Sequence, residues 1–135
     1  MKTAAKKREQ KWYSGANIPM RVIRDYARKV AKLFKPEKII LFGSYAYGTP
    51  NEDSDVDIMV VMPARNQIDQ ACKIDRYVDP PFALDLLVRT PKKLSQWLDC
   101  KESFHTEVIS KGKVLYDKSR SKLGHKSRSR LSLRS

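Results

Sequence analysis

KIILFGSYAYGTPNEDSDVDIMVV, residues 38–61, decides the fold. Lys38-Ile39-Ile40-Leu41-Phe42 is a short, strongly apolar strand that stops at once on Gly43-Ser44. Thr49–Ser54 is turn material. Asp55-Val56-Asp57-Ile58-Met59-Val60-Val61-Met62 reads as a second strand, closed by Pro63. Downstream, residues 64–77 hold Ile68, Ala71, Cys72 and Asp75 and read as a weakly amphipathic helix, which Asp79-Pro80-Pro81 breaks. Phe82–Val88 is a third, almost wholly apolar strand. Thr90-Pro91 supplies an N-cap and a first-turn proline to a helix with Leu94, Trp97 and Leu98 on its apolar stripe. A second short helix over 103–110 is expected to bury Phe104, Val108 and Ile109, with Gly112 as its C-cap and residues 114–116 as a closing strand. Upstream, Asn17-Ile18-Pro19 starts a helix whose apolar face is Ile23, Tyr26, Ala27, Val30, Leu33 and Phe34, and Pro36 ends it. Helices alternating with strands predict an α/β (α+β) fold, a small mixed sheet with helices packed mainly on one face.

The 135 residues suit one domain, long enough to bury a core without disulfides or a structural metal. The net charge of +13 is uneven. Residues 1–11 hold five basic residues and one acid, and residues 118–135 seven basic residues and no acid, which leaves the middle at +2. The chain therefore divides into a basic N-terminal arm (1–16), a globular domain (17–117) and a basic, low-complexity tail (118–135). Such ends are ordinarily solvated, and weak contact with nucleic acid through them is their functional alternative. The +2 middle argues against the folded domain as a nucleic-acid binder. Cys72 and Cys100 form no C-x-x-C, and His105 and His125 add no ligand cluster, so neither zinc nor a disulfide framework is expected. No signal peptide or membrane-length apolar run is visible, and the cytoplasm is the expected location.

Three acids sit where a core forbids them. Asp55 and Asp57 interrupt one apolar strand and Asp85 another. Strand alternation puts Asp55 and Asp57 on one face, and Asp85 joins them if the third strand lies beside the second. Three close carboxylates repel one another unless they are protonated or surround cations. Oxygen donors without Cys or His suit Mg²⁺, with Mn²⁺ possible. Two such ions about 3.5–4 Å apart clamp the attacking and leaving oxygens of a phosphoryl displacement. Gly43-Ser44, between strand and helix start, lets the backbone approach an anion and adds a hydroxyl donor. A phosphate cradle facing a carboxylate cluster describes a nucleoside-triphosphate site.

At these residues the chain resembles the DNA polymerase β-type nucleotidyltransferase superfamily. The signature is carried by Gly43-Ser44, Asp55-Val56-Asp57-Ile58 and Asp85. The leading helix, the 38–61 segment and the closing "ISKGKVLYD" look like its minimal nucleotidyltransferase (MNT) branch, over roughly residues 20–117. The resemblance implies transfer of a nucleoside monophosphate, AMP from ATP, to a hydroxyl with release of pyrophosphate. It implies that Asp55 and Asp57 hold both of two Mg²⁺ ions, that Asp85 binds the one serving the hydroxyl, and that Gly43 and Ser44 hold the β- and γ-phosphates. It also implies an antitoxin role, with a tyrosine of a helical HEPN ribonuclease toxin as acceptor. The alternatives are a non-catalytic antitoxin that neutralises by contact and a transferase acting on a small molecule such as an aminoglycoside; three acids in apolar strands disfavour the first, and the missing acceptor domain the second. Among other residues, Tyr45 and Tyr47 flank the cradle, where packing is their ordinary use and stacking on a base the alternative. Nothing selects Arg65 or Lys73 over other surface cations, Trp97 reads as core and His105 as a surface residue.

Overall fold

The computed structural model describes residues 12–13 and 17–123. The rest of the expected N-terminal arm, and residues 124–135 of the tail with His125, lie outside them. In chain order the elements are α1 (Met20–Phe34), β1 (Lys38–Phe42), α2 (Ser44–Tyr47), β2 (Val56–Val61), α3 (Gln67–Tyr77), β3 (Leu84–Arg89), α4 (Pro91–Asp99), α5 (Ser103–Lys111), β4 (Lys113–Asp117) and α6 (Lys118–Leu123). A helical turn thus opens the segment expected to be tail.

The four strands form one sheet in the order β3-β2-β1-β4. β1 pairs antiparallel with both β2 and β4, while β2 and β3 run parallel. A parallel pair needs a crossover, and α3 supplies it. This is the expected mixed sheet.

Side-chain alternation gives the sheet two different faces. On the first, Ile39, Leu41, Val56, Ile58, Val60 and Val88 pack against Ile23, Tyr26, Ala27 and Val30 of α1 and Ile74 of α3 in one large buried cluster. Ile23, Val30, Ile58 and Val60 have no exposed surface. Complete burial of each contributes about 1.5–3 kcal/mol. On the second face, Ile40, Phe42, Met59 and Val61 meet Leu94 of α4 and Val108 of α5 in a smaller cluster. The helix layer is therefore heavier on one face, and α4 and α5 cover part of the other.

Several apolar residues stand outside the core that periodicity gave them. Leu33, Ile68, Phe104 and Ile109 are exposed. α1 ends with Lys35 in the left-handed region (φ 49°), its N–H bonded to Ala31 O at 2.9 Å, which turns the chain into Pro36. Gly112 caps α5 with φ −72°, an ordinary value. Its requirement for glycine is steric: a Cβ there would sit 2.8 Å from Ile40 Cγ2 and 2.9 Å from Leu41 O, where the helix end closes onto β1. Tyr13 N–H donates to Pro81 O at 2.8 Å, so the last described part of the arm packs on the domain while Trp12 stays exposed.

Candidate active site

β1 delivers the chain to Gly43, whose φ of 75° and ψ of −162° lie where a side chain is strained. Ala46 and Tyr47 N–H groups bond back to Gly43 O at 2.9 and 3.0 Å, forming the single turn α2, and Gly48 (φ 83°) ends it. Asn51 then closes the loop: its Oδ1 accepts from Asp53 N–H at 2.8 Å, and its own N–H donates to Ser54 Oγ at 2.8 Å. The next residue is Asp55, exposed and one position before β2 begins.

Register assembles the acids. Phe42 lies opposite Asp57 across β1 and β2, and Asp57 lies opposite Asp85 across β2 and β3. Directly opposed residues share a face, so Asp57 and Asp85 stand side by side with Asp55 two residues upstream of Asp57. On the other side of Asp57 is Gly43: a Cβ there would overlap Asp57 Oδ2 and lie 3.1 Å from its Cγ. Gly43 is needed twice over, for its dihedral angle and for room for the carboxylate.

The carboxylates feel one another. The Asp57 carboxyl is pushed up to about 6, first by burial, then by the charges of Asp85 and Asp55. Asp57 is half-buried, whereas Asp55 and Asp85 are exposed. Among the described residues, no three side chains of His, Cys, Asp or Glu are already gathered around a point suited to a metal ion. The donor set nevertheless fits a hard cation: oxygen only, mutually repelling, and open to solvent on two of its three members.

Ser44 is half-buried beside Gly43, and Tyr45 is buried in the core. Tyr47 is part of the corner. Partial burial pushes its hydroxyl above the usual phenol range, the Glu107 carboxylate it donates to acts the same way, and a backbone hydrogen bond at Gly43 opposes both. Glu107, from α5, thereby joins the surroundings of Gly43 and Asp57. Nothing in its own sequence neighbourhood singles it out; the available signal is its position three residues after Phe104, whose ring meets Phe42 at 5.5 Å. Arg65, Lys92 and Lys93 lie at the opposite ends of β2 and β3, along a polar groove between the starts of α3 and α4.

His105 corrects the expectation of a surface residue. It is 5% exposed. Its Nε2 accepts from Arg89 Nε at 3.0 Å, so its proton rests on Nδ1, 2.6 Å from Glu102 Oε1. Trp97 stacks on the ring with centroids 5.4 Å apart and is itself 40% exposed, a lid on the histidine and not core. The Glu102 carboxyl, which also caps α5 through His105 N–H, is held below its usual range by these bonds. This network holds α4 and α5 in place.

Residues 23–116 match the nucleotidyltransferase domain family. The chain belongs to this family. Two inferred protein adenylyltransferases of Methanocaldococcus jannaschii are similar to it: one is 34% identical over 59% of this chain and 78% of its own length, the other 31% identical over 67% and 82%. A crystal structure of an inferred nucleotidyltransferase from Sulfolobus solfataricus shares the fold, with a TM-score of 0.50 and 18% identity over 74% of this chain and 81% of that one. Among the described residues, no helix is long and apolar enough to cross a membrane.

Proposed function

We propose that this nucleotidyltransferase moves AMP from ATP to a hydroxyl group on a protein, in a metal-dependent reaction at Asp55, Asp57 and Asp85. The observation that carries this reading is the row Gly43–Asp57–Asp85: a backbone position without a side chain, a half-buried carboxylate against it, and a second carboxylate in register beyond. Asp55, Asp57 and Asp85 would hold two Mg²⁺ ions, with Mn²⁺ as a substitute. When bound, the metal offsets charge building on the transferred phosphate and on the leaving pyrophosphate. Gly43 and Ser44 take the β- and γ-phosphates, and a side chain at 43 would collide with the Asp57 carboxylate beside them. Asp85 lies on the edge strand β3 and faces solvent, on the side open to an acceptor. In the reaction the acceptor oxygen bonds to the α-phosphorus, the bond to the β-phosphate oxygen breaks, pyrophosphate departs and the hydroxyl proton passes to solvent.

The names of the two archaeal relatives favour a protein acceptor. The resemblance to the MNT branch narrows it to a tyrosine of a HEPN-type toxin, with this chain as the antitoxin. The test is incubation of the chain with ATP, Mg²⁺ and a HEPN-type helical protein, sought in the neighbouring reading frames, read by intact mass. Addition of one AMP to a tyrosine, abolished by chelator and by Asp57→Asn, is the expected result. A stable complex without any mass change, with ATP shown to bind, would make the chain a binder and not a transferase.

A further inference from the structure

The near-neutral charge of the middle of the chain conceals a segregation. Residues 20–35 alone carry six cations and one carboxylate. Arg24, Arg28 and Lys32 follow one another along α1 at four-residue steps and, with Lys35 just past its end, line a groove of about 770 Å³. Lys118, just past β4, and Leu115 and Tyr116 of β4 line the same groove. All five cations are exposed and Tyr116 is half-buried. Arg28 reaches Asp25 at 3.0 Å. Among the described residues no ion pair holds Arg24, Lys32, Lys35 or Lys118. In the ladder Lys38 faces Asp117, so Lys118 stands at the opposite end of β1 from Gly43. The groove is separate from the carboxylate row.

We propose that this groove binds single-stranded nucleic acid, with phosphates on the cations of α1 and Lys118 and a base against Tyr116. Charge and the Tyr116 ring select this occupant together. A polyanion answers the unpaired cations, and a polyanion whose charges alternate with flat apolar rings also uses the half-buried Tyr116 ring among them. The chain's own C-terminal segment does not match the groove's charge: residues 118–135 carry seven cations and no acid.

Binding of the full chain to a fluorescent oligo-uridine of about ten nucleotides tests this by anisotropy between about 50 and 200 mM salt. The triple substitution Arg24→Gln, Lys32→Gln and Lys118→Gln is expected to weaken binding at least about tenfold at the lower salt and to reduce the salt slope by about 2, near 0.7 per lost phosphate contact. Tyr116→Leu is expected to weaken binding with the slope unchanged. Oligo-thymidine in place of oligo-uridine distinguishes DNA from RNA within the same chemistry. The substituted side chains are exposed, and a thermal melt of each variant confirms folding; Lys32→Gln alone gives a smaller effect of the same kind. Parent affinity and slope in the triple variant would overturn the proposal. So would displacement of the oligonucleotide by poly-glutamate at equal charge together with indifference to Tyr116→Leu, which marks a surface for an acidic protein.

Discussion

The two faces of β2 obey the same alternation and end differently. Val56, Ile58 and Val60 point into a face covered along its length by α1 and α3, and each is fully buried. Asp57, Met59 and Val61 point to the other face, where α4 and α5 bury Met59 and Val61 but leave Asp57 half-open beside Gly43 and Asp85. The boundary is the edge-to-face pair of Phe42 and Phe104, with Phe104 itself 38% exposed. The first face supplies stability. The second gives up cover at one end of the strands, and the proposed chemistry is put there, because carboxylates tolerate half-burial and substrates need access.

Neighbouring substitutions on β2 give the sharpest contrast. Ile58→Ala removes a fully buried side chain and is expected to cost about 2–5 kcal/mol, read by chemical denaturation, with transfer retained by the fraction still folded. Asp57→Asn, one residue earlier, is expected to leave the metal-free fold as stable or slightly more so and to lower AMP transfer by about 10²-fold or more. Equal loss of activity per folded molecule in both variants would erase the distinction between the faces.

Gly43→Ala attacks the point where strand geometry and site meet. Positive φ alone costs about 1–3 kcal/mol, and the added Cβ collides with the Asp57 carboxylate. We expect a lower melting temperature together with loss of ATP affinity by calorimetry. A folded variant that binds ATP like the parent would separate Gly43 from the phosphates.

The strands and the acid row were legible because they depend on local pattern. Apolar runs bounded by Gly and Pro place β1, β2 and β3, and period-two alternation puts Asp55 and Asp57 on one side. Asp85 was legible only as an anomaly; its position beside Asp57 depends on a parallel pairing that no local signal fixes. Leu33 and Ile68 satisfied helical periodicity yet remain exposed, since periodicity does not say which part of a helix the core reaches. His105 and Glu107 were misread or missed because their partners, Arg89 and Tyr47, are distant in sequence and meet them only when α5 closes on the sheet. The +2 of the middle segment is a sum along the chain and does not reveal the concentration of cations on α1.

A smaller effect belongs to pH. The Asp57 carboxyl rises to about 6 on folding from an ordinary 3.8, so the folded chain binds a proton more readily than the unfolded one between those values. Its share of stability is fully present below the ordinary value and is lost as pH rises through about 6. After discounting for solvent screening the loss is about 1 kcal/mol. Melts of the parent and Asp57→Asn in excess chelator isolate it: the parent is expected to gain on the variant as pH falls from neutral toward 4, while added Mg²⁺ narrows the gap at neutral pH. Parallel curves would remove the repulsion argument.

The smallest expected change in stability is the most informative about Asp85. It is exposed on the edge strand, directly opposite Asp57, and no hydrogen bond or ion pair to its side chain is found among the described residues. Asp85→Asn keeps its shape and removes one charge from the neighbourhood of Asp57. In chelator the melting temperature should therefore stay level or rise slightly, since less repulsion remains in the row. Transfer should still fall by orders of magnitude, because the proposed role of Asp85 toward the acceptor needs its charge. A structural carboxylate behaves oppositely: when paired in a fold, its loss leaves a partner uncompensated and costs stability. The decisive measurement sets a melt in chelator beside AMP transfer to the partner protein. A strongly destabilised variant, or one that transfers AMP at the parent rate, would take Asp85 out of the carboxylate site and leave Asp55 and Asp57 alone on the open face of β2.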